Sequence, residues 1–119
     1  MDSNPLSPKD DSSARFADMF AAIGSEARLR IVRLLLSAHP DGMMAGDIQA
    51  ELGIPPSTLS HHLDKLKGER LVTVERRGTF LRYRANTVTL RALLDFLYEE
   101  CCSRTQAVKS QEVVRIGDS

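Results

Sequence analysis

The sequence has no run of about 18 or more apolar residues, so it offers no material for a membrane-spanning helix. Its start, MDSNPLSPKDDSS, lacks the basic opening and apolar stretch of a secretory signal, and a cytoplasmic protein is expected. Excess charge is missing too. Sixteen Lys and Arg balance 16 Asp and Glu, so total charge gives no argument for a nucleic-acid partner. Cysteine is scarce: the two present, Cys101 and Cys102, are adjacent. Neighbouring cysteines close only a tiny strained ring, which excludes a disulfide-stapled scaffold. There is no glycine-rich phosphate loop, no CxxC pair, and no nucleophile with a base and an orienting acid at recognisable spacing. Nothing therefore points to an enzyme.

What is present fits one small domain. A chain of 119 residues buries only about two-thirds of its unfolded surface, so a single core is expected and a dimer would add burial. Residues 1–12, with two prolines and small polar residues, read as a disordered arm; residues 104–119 read as a flexible tail. The domain between them, 13–103, opens with ARFADMFAAI, whose Phe16, Met19, Phe20 and Ile23 recur at helical spacing up to Gly24. Ser25 can cap a second helix, EARLRIVRLLLSA. Leu29, Ile31, Val32, Leu35 and Leu36 are expected inward there, with Arg28, Arg30 and Arg33 towards water. A turn at 39–42 and an extended Met43-Met44 lead to a brief helix over GDIQAEL, stopped by Gly53. The next helix, about 56–69, starts with proline and turns Leu59, Leu63 and Leu66 inward. The period then drops to two in LVTVERR and TFLRYRA around Gly78, a β-hairpin. VTLRALLDFLYEECC is a final helix. The expected class is mainly α with a β-hairpin (α+β).

A short helix, a tight turn and a second helix make a helix-turn-helix. Such a second helix shows small donors and acceptors to base edges on one face and apolar residues on the other. Ser57, Thr58, Ser60, His61 and His62 supply the first face, with Lys65 further along. From Ser57 to Arg84 seven basic residues outnumber three acidic ones, a local charge of +4 against −4 for the rest. Arg76, Arg77 and Arg82 place part of that charge on the hairpin, where a basic loop can straddle phosphates. The alternative is a merely solvated hairpin surface. His61-His62 also admits a metal reading, but adjacent helical residues point about 100° apart and chelate poorly. Double-stranded operator DNA is the expected partner; a protein-interaction module is the competing class.

TLSHHLDKL followed by LVTVERRGTFLRYRA resembles the signature of the ArsR/SmtB-type transcriptional repressors. Ser60-His61-His62-Leu63, Leu71-Val72, and the pair Gly78 and Tyr83 carry the resemblance, together with AIGSEARLRIVRLL. It spans roughly residues 14–102. The family usually has glycine just before Leu-Val, where this chain has Arg70. The resemblance implies a winged helix-turn-helix, a homodimer through the first and last helices, and a repressor relieved by an inducer. Apolar residues on more than one side of both terminal helices agree with the dimer.

Family members keep ligands in different places. Cysteines in the short helix are absent from AGDIQAEL, and the last helix has no histidine for a zinc site; His39, His61 and His62 lie elsewhere. The remaining candidate is Cys101-Cys102, similar to one arsenic-sensing branch with paired cysteines at the end of the last helix. Thiolates favour soft centres, and structural zinc wants four ligands where this pair gives two. Trivalent arsenic, as arsenite or methylarsenite, accepts two or three sulfurs and is the expected inducer. Two readings compete: small hydrophobes buried at the dimer interface, or a redox or persulfide switch. The acidic neighbours Glu99 and Glu100 work against a reactive thiolate.

Overall fold

A computed structural model describes residues 8–105. The order is α1 Pro8–Ile23, α2 Glu26–Ser37, β1 Met43–Met44, α3 Ala45–Leu52, α4 Pro56–Gly68, β2 Val72–Arg77, β3 Phe80–Ala85 and α5 Thr87–Tyr98. No helix among the described residues is long and apolar enough to cross a membrane.

Helix α1 begins at Pro8, inside the 1–12 stretch expected to be a disordered arm. Proline suits a first helical turn because its missing N–H would have no partner there. The rest of that arm, residues 1–7, and the tail from 106 onward lie outside the described residues. Helix α2 is capped as expected, the Ser25 hydroxyl accepting from Arg28 N at 3.0 Å. Ile31, Val32 and Leu35 carry its buried stripe. Leu29 and Leu36, expected inward, are exposed because they stand roughly a quarter-turn round from that stripe.

The core gathers Met19 and Ala22 from α1, the α2 stripe, Ile48 from α3, Leu59, Leu63 and Leu66 from α4, and Leu93 from α5. Leu71, Val72, Tyr83 and Ala85 close it from the sheet side. Each large buried aliphatic contributes about 1.5–3 kcal/mol. The sheet has three antiparallel strands in the order β1-β3-β2, with Met43 opposite Tyr83 and Val72 opposite Ala85. The pairing of β1 with β3 ties the turn at 38–42 to the hairpin. There a Cβ on Gly42 (φ +77) would run into the Tyr83 carbonyl oxygen, so the close approach requires glycine.

The end of α4 resolves the Arg70 departure. Leu71 N donates to Leu66 O at 3.0 Å and Arg70 N to Lys67 O at 2.9 Å, the paired bonds of a Schellman cap. The residue that turns the chain out of such a cap is left-handed, and Arg70 has φ +62. Glycine takes that conformation without strain; arginine does not.

Helix α5 is capped by Asn86, whose Oδ1 accepts from Thr89 N at 3.2 Å. It packs on α1, where the Phe16 and Phe96 rings stack with centroids 4.3 Å apart. Its other side is bare: Leu97 is 65%, Leu94 60% and Tyr98 56% exposed. The expected final helix reached Cys102; α5 ends at Tyr98, and turns with i to i+3 bonds follow, such as Cys101 N to Tyr98 O at 2.8 Å.

Candidate nucleic-acid interface

Helices α3 and α4 are joined by three residues. Gly53 ends α3 in the left-handed region (φ +67), where glycine is unstrained. Pro55 and Pro56 then start α4, with Pro56 at its first position. Burial of Leu59, Leu63 and Leu66 anchors one face of α4 and so aims the opposite face outward. Ser57, Thr58, Ser60, His61 and Lys65 are exposed on it. None of the five has a side-chain hydrogen bond or ion pair with another described residue, which leaves their donors and acceptors available to a duplex.

His62 is different. It is half-buried, and its Nδ1 lies 3.2 Å from Arg28 Nη1 on α2. Arg28, expected towards water, turns inward and also donates through Nε to Ala22 O. Burial first, then the Arg28 charge and His61, push the His62 pKa below its ordinary 6.5. A charged ring is disfavoured in such a setting. The sequence carried no signal for this contact, because it joins residues 34 positions apart.

The hairpin follows α4 in the chain and packs against it through β2. Its two-residue loop needs a positive φ first, which Gly78 supplies at +63. Arg76 and Arg77 are exposed on β2, and Phe80 opens β3 with 64% of its surface exposed. The basic residues are not equally available. Arg77 Nε donates to Glu75 Oε2 at 3.0 Å, and Arg84 Nη1 to Glu75 Oε1 at 2.7 Å. These bonds, Arg84 first and Arg77 second, hold the Glu75 carboxyl below its usual range. Arg82, expected at the DNA, donates instead to the carbonyls of Asp41 (3.0 Å) and Gly42 (3.2 Å). Arg84 Nε adds a bond to Pro40 O at 3.1 Å. Two arginines of β3 thus staple the 40–42 turn, because the alternation that buries Tyr83 and Ala85 aims them at its carbonyls. Arg76 has no such partner among the described residues.

At the far end of the chain path, Cys101 Sγ and Cys102 Sγ are 3.1 Å apart, neither in a disulfide. In a regular helix the two side chains would diverge by about 100°. Cys102, at φ +64, leaves the helical path and brings the sulfurs together. A hydrogen bond with Cys101 is the main cause raising the Tyr98 pKa above its ordinary 10.0.

A helix-turn-helix domain family matches residues 23–75. The transcriptional repressor SdpR of Bacillus subtilis is 32% identical over 80 residues, covering 67% of this chain and 86% of that protein. The putative arsenical resistance operon repressor ArsR2 of Halobacterium salinarum is 33% identical over 89 residues, 73% of each chain. Among solved structures, the homodimeric winged helix-turn-helix DNA-binding domain of a possible ArsR-family regulator from Mycobacterium bovis superposes with a TM-score of 0.62. It is 26% identical and covers 82% of this chain and 91% of that one.

Proposed function

This chain belongs to the ArsR family of winged helix-turn-helix transcriptional repressors, and from that premise we propose that it binds its operator as a homodimer and leaves it when a trivalent arsenical joins Cys101 to Cys102. It is a DNA-binding regulator, not an enzyme. The available outer face of α4 supports DNA reading through Ser57, Thr58, Ser60 and His61, and the exposure of Lys65 and Arg76 supports a role for them at phosphates. The bare apolar side of α5 supports the dimer, as does the homodimeric relative. Two recognition helices read one face of DNA when they stand about 34 Å apart, so the dimer interface sets affinity.

The observation that carries the inducer reading is the 3.1 Å contact of the two thiol sulfurs. No group of three or more His, Cys, Asp and Glu among the described residues could hold a metal ion. The described residues of one chain therefore offer a four-coordinate metal too few ligands, whereas two sulfurs are enough for a centre that needs only two. Methylarsenite is such a centre: two S–As bonds form, two As–O bonds break, and two waters leave with the thiol protons. Arsenite would need a third ligand, from a small thiol or the partner subunit. Bonding to arsenic would take Cys101 away from Tyr98 at the end of α5, whose apolar side is the proposed dimer face. The inducer lowers operator affinity only by binding the DNA-free form more tightly.

Titration of the operator complex with methylarsenite and with arsenite tests this. Release at about one equivalent of methylarsenite per protomer is expected, and a Cys101→Ser, Cys102→Ser variant should stay bound. Equal release of that variant overturns the arsenical reading. A redox switch draws on the same short contact, so a peroxide arm belongs in the experiment: release by peroxide and not by arsenicals would favour it.

A further inference from the structure

A guanidinium offers N–H donors and no acceptor. Arg28 Nη1 lies 3.2 Å from His62 Nδ1, and Arg28 Nε is tied to the Ala22 carbonyl at the end of α1. The arginine is thus held on one side by α1 and meets the recognition helix on the other. His62 Nδ1 must bring a lone pair to this contact, which leaves the proton of the neutral ring on Nε2. A doubly protonated ring would set N–H against N–H and cation against cation.

We infer that Arg28 is a positioning residue that fixes His62 as its Nε2–H tautomer, so that α4 presents a neutral N–H donor of set direction to the duplex. The inference rests on the reading of α4 as the DNA-contacting helix. Burial and the Arg28 charge, which lower the His62 pKa, keep the ring neutral near pH 7. Such a donor accepts guanine N7 or O6, adenine N7, thymine O4 or a phosphate oxygen as partner, and rejects the amino group of cytosine. His61 next to it, with ring centroids 6.0 Å apart, is exposed and has no hydrogen-bond partner among the described residues. Its tautomer is not imposed by the protein. The two adjacent histidines therefore have different tasks: His62 is a directed donor, His61 an adaptable contact.

The test has two arms, both on the full chain. The first reads imidazole nitrogens by long-range proton–nitrogen NMR near pH 7.5, with His62 assigned by its loss in His62→Gln. An unprotonated Nδ1 and a protonated Nε2 are expected. Arg28→Met should give averaged tautomers, and Arg28→Lys, which keeps a cationic donor, should restore the wild-type pattern. A proton on Nδ1 in the wild type, or an unchanged pattern in Arg28→Met, overturns the inference. The second arm uses a duplex selected from random sequence by the wild-type protein. A glutamine amide reaches the place of Nε2 and an asparagine amide only that of Nδ1. His62→Gln should stay within about threefold of wild type, while His62→Asn loses about tenfold, the loss of one neutral hydrogen bond per protomer. Equal affinities for the two variants overturn the donor role, even if Arg28→Met fails to fold. A loss confined to the selected duplex assigns a base edge, and an equal loss on unselected duplex assigns a phosphate. A wild type that selects no duplex overturns the DNA reading itself, while the NMR pattern still decides the tautomer.

Discussion

The outer face of α4 and the β2–β3 hairpin both carry polar groups, yet they differ in what those groups are already doing. On α4, Ser57, Thr58, Ser60 and His61 are exposed and have no side-chain hydrogen bond within the described residues. On the hairpin, Arg77 and Arg84 share Glu75, and Arg82 and Arg84 hold the carbonyls of residues 40–42. Charge counted along a sequence is therefore a poor measure of charge available to a phosphate. The Arg77–Glu75 pair is exposed and screened by solvent, so Arg77 can still be drawn to DNA. Arg82 is half-buried, and its Nη1 is shared between two backbone acceptors.

The largest expected effect comes from charging the α4 face. Thr58 is the third residue of α4, where a carboxylate favours the helix dipole. Thr58→Glu should thus leave the melting temperature unchanged or raise it, yet weaken operator binding by about 100-fold or more through repulsion from phosphate. Retained affinity in this variant, measured by fluorescence anisotropy, would show that α4 does not face the duplex. Arg76→Ala should cost less, about tenfold. Because each lost phosphate contact lowers the salt slope by about 0.9, the slope should fall by about 1.8 per dimer.

Arg82→Ala separates the two regions most sharply. It removes two hydrogen bonds to the Asp41 and Gly42 carbonyls. The expected cost is about 1–2 kcal/mol of folding stability, read as a lower urea midpoint. Operator affinity of the folded protein should not change. An unchanged midpoint with weakened binding would return Arg82 to the DNA face.

The sequence made the helices and the hairpin legible because burial there follows a local period: Leu59, Leu63 and Leu66 at spacings of four and three, Tyr83 and Ala85 at a spacing of two. Boundaries were less legible. Pro8 starts α1 and Tyr98 ends α5, each several residues from expectation, since frayed ends are decided by turns rather than by a stripe. Of the site, the outward face of α4 could be read, because it is the complement of the leucine stripe. The partners of Arg28, Arg82 and Arg84 could not: they lie 6 to 44 positions away in sequence and depend on how α2, β1 and β3 are packed. The departure at Arg70 was visible as a missing glycine, and the left-handed φ of +62 is its consequence. Arg70→Gly should accordingly stabilise the fold by about 1 kcal/mol, visible as a higher urea midpoint with operator affinity unchanged. No gain would mean that the arginine side chain offsets its backbone strain.

The smallest expected effect again sets the two regions apart, this time by pH. His62 has a folded pKa below 6.5, so between that value and 6.5 the unfolded chain binds more protons than the folded one. Stability contributed by the neutral ring is therefore present above about 6.5 and is lost as pH falls from there towards the folded pKa. Glu75 on the hairpin behaves at a lower pH. Its depressed pKa gives stability that is present above about 4.5 and is lost as pH falls below it. The His62 window opens at about 6.5 and the Glu75 window only at about 4.5. Urea midpoints taken from pH 7.5 down to 3 should thus fall modestly in the wild type between 7.5 and 5, and His62→Gln should flatten that limb while leaving the decline below 4.5 in place. Half-exposure of His62 keeps the effect small, because solvent screens the Arg28 charge. An unaltered limb in His62→Gln would mean that another group titrates there, and that the α2–α4 contact does not disfavour the charged ring.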